Sequence, residues 1–378
     1  MLDRLISRLK NMSGTARELR GDIITPSTPG RFTILDALRG ILALVVVLGH
    51  TGMPPIFGSI DQVDRMWRSL ARFWETFAFG PPAVIAFFVI SGFCIHQPFA
   101  NPGDRFPVVR FYLRRYLRIG IPILAVVVIL HTLQTEVILF GKNSILWKST
   151  LWSVICEEIY YALYPLLHLI YRRVGVGTVL LISMISAFTV VTFTFPAVDW
   201  SDVGIIGTSV ILLPVWLLGA TLAEWVRNSQ SPTGRWAGFH ISIGWWRAGA
   251  WGIMWLALVM HFHSGLHQTA SGIVVGGFAF LWLQAELAKA APPPALLIWF
   301  GTWSYSLYLV HPLVISFLNR NSIYSHASLV NWGLVMALTL GFSYLFFILV
   351  EAPSHALARL ISLRVTRPLG LAAYKAAR

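Results

Sequence analysis

Charged residues are scarce in this 378-residue chain, where Asp, Glu, Lys and Arg together make up only 12%. A soluble globular protein typically carries about 25% charged residues. Hydrophobic residues reach 56%, and the mean hydropathy is +0.68. So little polar surface cannot cover a water-soluble particle of this size. The composition therefore excludes a soluble protein and predicts an integral membrane protein.

Cysteines and acidic residues are also few. The two cysteines, Cys94 and Cys156, fall inside apolar segments, so the sequence implies no disulfide framework. The 16 acidic residues are outnumbered by 29 Lys and Arg residues. Such an excess can indicate a nucleic-acid partner, but in a membrane protein it usually marks cytoplasmic loops. The positions of the basic residues along the chain distinguish these two explanations. The sequence contains neither a phosphate-binding P-loop nor a dinucleotide fingerprint.

Ten apolar runs are long enough to cross a bilayer, for which a helix needs about 20 residues. None of them shows the strand alternation of an outer-membrane barrel. We predict an all-α integral membrane protein, a bundle of about ten transmembrane helices over 34–351. Basic tails at 1–33 and 352–378 flank it, and the first lacks the apolar core of a signal peptide. The predicted spans are 34–53, 80–99, 116–133, 151–171, 176–195, 204–226, 241–262, 267–286, 296–318 and 329–351.

The Lys and Arg residues predict the orientation of these spans. With the N-terminus inside, 21 of them fall on the cytoplasmic side and six in outer loops, while Arg39 and Arg247 lie within spans. Because positive charge concentrates on the cytoplasmic side, this split predicts that both termini are cytoplasmic. It also accounts for the basic character of the chain without nucleic acid. We therefore expect membrane lipids, and no nucleic acid, as partners.

The first predicted span carries ionisable residues that lipid disfavours. Arg39 and His50 are separated by three helical turns plus about 20°, so they point the same way about 16 Å apart along the axis. Asp36 lies one turn from Arg39 and can pair with it. An ionisable group at mid-membrane costs about 2.5–3.5 kcal/mol, so such groups usually face a functional cavity. A structural ion pair beside a buried histidine is the alternative.

Two further groups of side chains are candidates for chemistry. The fourth span opens with LWSVICEEIYYALYP, in which Ser153 and Glu157 share one helix face while Glu158 points elsewhere. Arginine makes forked, charge-assisted hydrogen bonds that suit a phosphate group. Arginines cluster where the third span leaves the cytoplasm, and the alternatives for them are the positive-inside signal itself or anionic headgroups. These arginines are Arg114, Arg115 and Arg118.

Four segments together resemble the membrane-bound acyltransferase 3 family. They follow one another from the first span to the last with the family's spacing, so the combination is highly specific. The usual LDGLRG of the family reads LDALRG here, with Ala37 in place of glycine. The four segments are RFTILDALRGILALVVVLGH (31–50), FFVISGFCI (87–95), LWSVICEEIYYALYP (151–165) and WSYSLYLVHPLV (303–314).

The resemblance implies an enzyme that transfers an acyl group, usually acetyl, from cytosolic acetyl-CoA to a hydroxyl. Acceptors in the family are usually sugars of surface polysaccharide, lipopolysaccharide or peptidoglycan. We therefore expect a cell-surface glycan or glycolipid as acceptor and the bacterial cytoplasmic membrane as location. Acetyl-CoA would be a co-substrate, and we expect no further cofactor. No esterase-like domain follows the last span, so we expect the membrane domain itself to perform any step outside.

The matching positions imply roles for individual residues. His50 matches the family's essential histidine, and we expect it to act as general base because imidazole takes up a proton near neutral pH. Arg39 matches its partner arginine and is expected to hold a CoA phosphate or guide the pantetheine arm. Ser153 and Glu157 match the serine–glutamate motif, and Glu157 is expected to orient the imidazole.

The donor site is assigned in the same way, whereas the oxyanion site stays open. Arg115 and Arg118 match the arginine pair that the family associates with the donor, and Arg114 stands beside them. Acyl transfer also needs a group that stabilises the carbonyl oxygen. The sequence leaves that group open, and the candidates for it or for substrate contact are Ser153, Tyr305, Tyr308 and His311.

Other signals support weaker hypotheses. His261, His263 and His267 could bind zinc, but no carboxylate or cysteine accompanies them and the resemblance implies no metal, so we predict no metal site. Gly276 and Gly277 predict close helix packing. Two alternatives stay open for the function. One is acylation of a secreted small molecule or antibiotic. The other is a secondary transporter, for which no internal repeat is detectable.

Overall fold

A computed structural model describes residues 32–57, 65–100, 106–133, 151–194, 200–229, 241–264, 268–289, 291–321 and 328–365. Within these ranges the chain is almost entirely helical and contains no β-strand. Nearly all of the predicted N-terminal tail lies outside the described residues. The described part of the predicted C-terminal tail continues as helix to residue 365.

Fourteen α-helices follow one another along the described chain. Two five-residue π-helical turns, Tyr116–Gly120 and Phe347–Glu351, interrupt the regular geometry. The α-helices are α1 Thr33–Thr51, α2 Arg65–Glu75, α3 Gly80–His96, α4 Val108–Arg115, α5 Ile121–Leu133, α6 Leu151–Val174, α7 Val176–Thr194, α8 Trp200–Ser229, α9 Ile243–Ser264, α10 Gln268–Lys289, α11 Ala295–Thr302, α12 Ser304–Arg320, α13 Leu329–Phe346 and α14 Ala352–Val365.

Six helical stretches of the described chain are long and apolar enough to cross a membrane. Where the structure describes them, all ten predicted spans are mostly helical, but four are shorter, broken or more polar than these six. The α5 helix has 13 residues after its π turn, and Trp303 divides the ninth predicted span between α11 and α12. The chain is therefore a multi-pass helical membrane protein, and the count of ten stays a prediction. The six stretches are 33–51, 66–99, 176–194, 203–229, 271–288 and 329–362.

Glycines allow the central helices to touch backbone to backbone. A Cβ atom on Gly92 of α3 would lie 1.9 Å from the carbonyl oxygen of Trp216 in α8, and one on Gly219 would lie 2.0 Å from that of Val89. Gly301 of α11 approaches the backbone of α1 in the same way. Small residues at such crossings are typical of helix packing in membranes. These contacts join α3 to α8 and α11 to α1 at close distance.

The two adjacent glycines Gly276 and Gly277, for which the sequence predicts close helix packing, have different surroundings. A Cβ atom on Gly276 would lie 2.9 Å from Val215 of α8, as close helix packing requires. Nothing lies within 4 Å of a Cβ atom built on Gly277. The packing prediction is therefore confirmed for Gly276 and wrong for Gly277, because a helix turns adjacent residues by 100° and only one can face the same neighbour.

Arg247, one of the two arginines predicted within spans, has a structural partner. Its guanidinium donates hydrogen bonds of 2.7 and 2.9 Å to the buried carboxylate of Glu286. The indole N–H of Trp282 donates to the same carboxylate at 2.9 Å. This charge-assisted, forked pair satisfies the buried carboxylate of Glu286, while Arg247 is exposed. It joins α9 to α10 and leaves Arg247 with a role in packing.

The segment after α1 is held in place beside His50. The backbone N–H of Met53 donates to Glu75 Oε2 at 3.1 Å, and the indole of Trp74 donates to the carbonyl of Pro54 at 2.9 Å. A third bond runs from Trp332 Nε1 to the carbonyl of Gly52 at 3.1 Å. The C-terminal end of α1 is therefore fixed by α2 and α13 together.

Candidate active site

A cavity of about 770 Å³ opens among α1, α3, α4, α6, α12 and α14. Its lining combines apolar rings with an unusual number of polar side chains. Eight of the ten residues that the sequence assigned to the site line it. They are Arg39, Arg114, Arg115, Arg118, Ser153, Glu157, Tyr305 and Tyr308.

Five cavity-lining arginines form what we call the arginine cluster. Arg110 and Arg114 are one turn apart on α4, and Arg118 follows four residues later in the π turn. This spacing places guanidinium groups along one side of the helix. The α14 helix packs on α4 and brings Arg359 to the same cavity. The cluster consists of Arg110, Arg114, Arg115, Arg118 and Arg359.

The like charges of the cluster act on one another. Desolvation lowers the pKa of the Arg114 guanidinium, and the neighbouring charges of Arg110 and Arg359 lower it further. The positive charges of the cluster therefore disfavour any further cation in the cavity and favour a bound anion. The guanidinium carbon of Arg115 lies 4.5 Å from the centre of the Tyr161 ring, a cation–π contact that fixes its position. The arrangement suits a ligand with several negative charges.

Glu351 and His355 are cavity residues that the sequence analysis missed. Arg118 Nε donates a 2.9 Å hydrogen bond to His355 Nε2, which lies 3.5 Å from Glu351 Oε1. Glu351 Oε2 in turn accepts from the backbone N–H of Ser306 at 3.1 Å and from its hydroxyl at 2.5 Å. The available signal was an acid at the end of the last apolar run with a histidine four residues later. This network holds Arg118 against α12 and α14.

The apolar part of the cavity contains a close pair of hydroxyl groups. Ser153 Oγ and Tyr308 Oη lie 2.6 Å apart, and both side chains are almost fully buried. Glu157, one turn along α6, lines the same space, whereas Glu158 is not among the lining residues. The expectation that only one of the two carboxylates faces the cavity is confirmed. One hydroxyl of the pair donates to the other, and a hydroxyl can rotate to donate to a ligand oxygen instead.

The Arg39 side chain lines the same cavity as the arginine cluster and this hydroxyl pair. It projects from α1 together with Asp36, and Cys94 of α3 lies among the same lining residues. On α3 the lining runs from Val84 to Ile95 and continues to Phe99 in the following 3₁₀ turn. At 1.5 Å per residue this corresponds to about 22 Å. A long, narrow ligand with an anionic end fits such a cavity.

His50 and His311 do not line the cavity but lie next to each other. The centres of their rings are 5.2 Å apart, with the rings tilted by 44°. His50 is exposed at the end of α1, whereas His311 is completely buried. The centres of the Tyr308 and His311 rings lie 5.8 Å apart, so the two histidines are next to the Ser153–Tyr308 pair. Among the described residues no hydrogen bond joins His50 to Glu157, the partner expected from the sequence.

The predicted absence of a metal concerns histidines that lie partly outside the described residues. His261 and His263 are near the end of α9, and His267 falls in the gap that follows. Within the ranges that the structure describes, no three His, Cys, Asp or Glu residues are grouped so that they could hold a metal ion.

The fold and the cavity define a multi-pass helical membrane protein with an arginine-rich ligand site. A family model described as an acyltransferase domain matches residues 32–348, which include all ten predicted site residues. The chain therefore belongs to the acyltransferase 3 family and is a membrane acyltransferase. No curated protein and no solved structure matches it.

Proposed function

We propose that this membrane acyltransferase moves an acetyl group from cytosolic acetyl-CoA to a hydroxyl of a cell-surface glycan or glycolipid. The observation that carries the proposal is the single cavity that combines the arginine cluster with the Ser153–Tyr308 pair. Acetyl-CoA carries phosphates at one end and a thioester at the other. A donor bound with its phosphates at the arginines would direct its thioester toward the hydroxyl pair.

The length of the cavity supports this orientation of the donor. The lining along α3 extends about 22 Å, which accommodates an extended pantetheine arm. Its volume of about 770 Å³ is also within the range of about 300–1,000 Å³ that ligand pockets occupy. Arg39 lies along the path between the phosphates and the thioester. In the proposed complex it steadies the arm or a phosphate through its forked donors.

In the proposed reaction His50 acts as the general base. A ring nitrogen of His50 takes the proton of the acceptor hydroxyl, and the oxygen attacks the thioester carbonyl. The carbonyl oxygen gains negative charge, for which a hydroxyl of the Ser153–Tyr308 pair, rotated from its present partner, is the proposed donor. The C–S bond then breaks, the CoA sulfur takes up the proton from the His50 imidazolium, and the acceptor leaves as an ester.

The exposed position of His50 supports an acceptor that approaches from the side opposite the arginine cluster. The charge distribution predicts that this is the outer side of the membrane. A polar glycan attached to a lipid or polymer reaches such a position without crossing the bilayer. Acceptor and donor would then meet where the two histidines adjoin the hydroxyl pair.

The proposal is tested with purified protein in lipid nanodiscs and acetyl-CoA labelled in the acetyl group. A panel of lipid-linked glycans, polymeric glycans and small secreted alcohols serves as acceptors. We expect label in the lipid-linked or polymeric glycans, released by mild alkali as an ester. Label only in small alcohols would favour the small-molecule alternative. Transport of a solute without release of CoA would contradict acyl transfer and favour a transporter.

A further inference from the structure

His311 has one ring nitrogen bonded and the other without a partner. Nδ1 lies 3.0 Å from the carbonyl oxygen of Leu307, one turn earlier in α12, so Nδ1 carries the proton and donates it. Nε2 is therefore an acceptor. It is buried and has no hydrogen-bond partner among the residues that the structure describes. A buried acceptor without a partner destabilises the fold, which a side chain selected only for packing would avoid.

His50 is the histidine within reach of that acceptor. Ring centres 5.2 Å apart leave about 3 Å between two nitrogens that face each other, which is the length of an N–H···N hydrogen bond. In the present arrangement His311 Nε2 makes no hydrogen bond, so this bond is unmade. His50 is exposed, and a rotation of its ring would bring a nitrogen toward His311 Nε2. Hydrogen bonds in catalytic groups often form fully only when substrate is bound.

We infer that His311 is a positioning residue for His50. Its Nε2 accepts a hydrogen bond from one ring N–H of His50, so the other ring nitrogen of His50 is unprotonated and faces the acceptor hydroxyl. The chain of contacts then runs from the Leu307 carbonyl through His311 to His50 and on to the substrate. A neutral histidine thereby performs the orienting task that a carboxylate performs in other catalytic triads.

The arrangement also matters after His50 has taken the proton. The imidazolium of His50 has two N–H donors, and one of them needs an acceptor inside the protein. Nε2 of His311 provides it, held in place by the bond between Nδ1 and Leu307. Loss of one hydrogen bond to a charged group corresponds to about 10–100-fold in rate. The inference rests on the proposed acetyl transfer, in which His50 is the base.

Three substitutions of His311 separate the inferred role from packing. His311→Gln places an amide oxygen near the position of Nε2, so it keeps the acceptor. His311→Asn keeps a donor for the Leu307 carbonyl but has no acceptor at Nε2, and His311→Phe keeps only the ring shape. His263→Gln is the matched control, because this exposed histidine lies on α9, away from the cavity. Size-exclusion profiles and melting temperatures show which variants are folded.

We expect the Asn and Phe variants to lose about 10–100-fold in kcat at an unchanged KM for acetyl-CoA. The Gln variant should keep most of the wild-type kcat. A Phe or Asn variant as active as the wild type would contradict the inference, because packing or the Leu307 bond alone would then suffice. A folded Gln variant as inactive as Asn would contradict it too, since His311 would then have to take up the proton itself.

A second readout does not depend on acetyl transfer. Diethyl pyrocarbonate modifies an unprotonated imidazole nitrogen, and mass spectrometry of the peptide gives the rate at His50. If His311 orients His50, this rate should fall in the Asn and Phe variants and recover in Gln. Equal rates in all variants would overturn the inference. A wild-type protein that transfers no acetyl but shows this pattern would contradict the proposed function while leaving the histidine pair supported.

Discussion

Arg115 and Arg118 are held in the cavity by contacts that do not neutralise them. Arg115 lies over the ring of Tyr161, and Arg118 donates to the neutral ring of His355. Both contacts fix the direction of a guanidinium and leave its other N–H groups for a ligand. This is the arrangement expected of residues that hold phosphate. A positive-inside signal alone would need no such fixed geometry.

The donor role of these two residues predicts a defect in binding. Replacing both Arg115 and Arg118 by alanine should weaken acetyl-CoA binding by about 10²–10⁴-fold, because each forms a charge-assisted contact worth about 1.5–3 kcal/mol. Isothermal titration of the purified protein in nanodiscs measures the Kd. Arg173→Ala, on the same membrane side as predicted but not among the cavity-lining residues, is the control and should bind normally. Unchanged affinity in the folded double variant would remove these arginines from the donor site.

At the scale of elements, the crossing of α3 and α8 depends on glycine. Gly219→Ala would place a Cβ atom 2.0 Å from the carbonyl oxygen of Val89, and backbone atoms cannot move aside as a flexible side chain can. We expect the variant to lose about 1–3 kcal/mol of stability, because the two helices must separate. Thermal unfolding in detergent should show a clearly lower Tm.

Gly277→Ala is the matched control for this prediction. It lies within α10, and nothing stands within 4 Å of the added Cβ atom. Alanine is favoured over glycine inside a helix by up to about 1 kcal/mol, so this variant should be as stable as the wild type or slightly more stable. A Gly219→Ala protein with the same Tm as the Gly277→Ala protein would contradict the close crossing of α3 and α8.

The elements also show which parts of the site the sequence could predict. Ser153 and Glu157 are one turn apart, so their common face followed from helical spacing alone. The π turns at Tyr116–Gly120 and Phe347–Glu351 had no such signal in the sequence, and both pack against α5 and α14. Glu351 reaches its partners only through this packing. Residues brought together by tertiary contacts therefore escaped a reading based on spacing.

The histidine pair escaped prediction for the same reason. Spacing along α1 placed His50 on the face of Arg39 and suggested Glu157 as its partner. In the structure Arg39 lines the cavity, while His50 lies behind the hydroxyl pair beside His311. His50 lies three helical turns after Arg39 on α1 and is not among the cavity-lining residues. Here α12 is a neighbouring helix of α1. No pattern within α1 indicates which helix that neighbour is.

At the scale of the whole molecule, composition and apolar runs predicted an all-helical membrane protein, and this prediction is confirmed. The number of crossings depends on short or interrupted helices, such as α5 and the pair α11 and α12. Hydropathy alone does not show whether these helices cross the membrane. Packing against neighbouring helices allows such segments to cross even when they are broken. Orientation therefore needs a direct measurement.

Reporter fusions test the predicted ten-span topology. Fusions after Arg20, between α7 and α8 and after Arg367 should report inside, outside and inside, because 21 of the 29 basic residues fall on the side predicted to be cytoplasmic. A periplasmic alkaline phosphatase and a cytoplasmic fluorescent protein give complementary signals. An outside C-terminus would mean an odd number of crossings.

The central claim is acetyl transfer with His50 as base, and one comparison tests it most directly. Wild type and His50→Gln are reconstituted side by side, and transfer of labelled acetyl from acetyl-CoA to the accepted glycan is measured together with acetyl-CoA binding. Glutamine keeps the size and hydrogen bonding of histidine but cannot take up the proton. We predict that His50→Gln binds acetyl-CoA normally, because the donor contacts the arginine cluster, and loses about 10²–10⁴-fold in transfer rate. A stably folded His50→Gln protein that transfers acetyl at the wild-type rate would contradict the account.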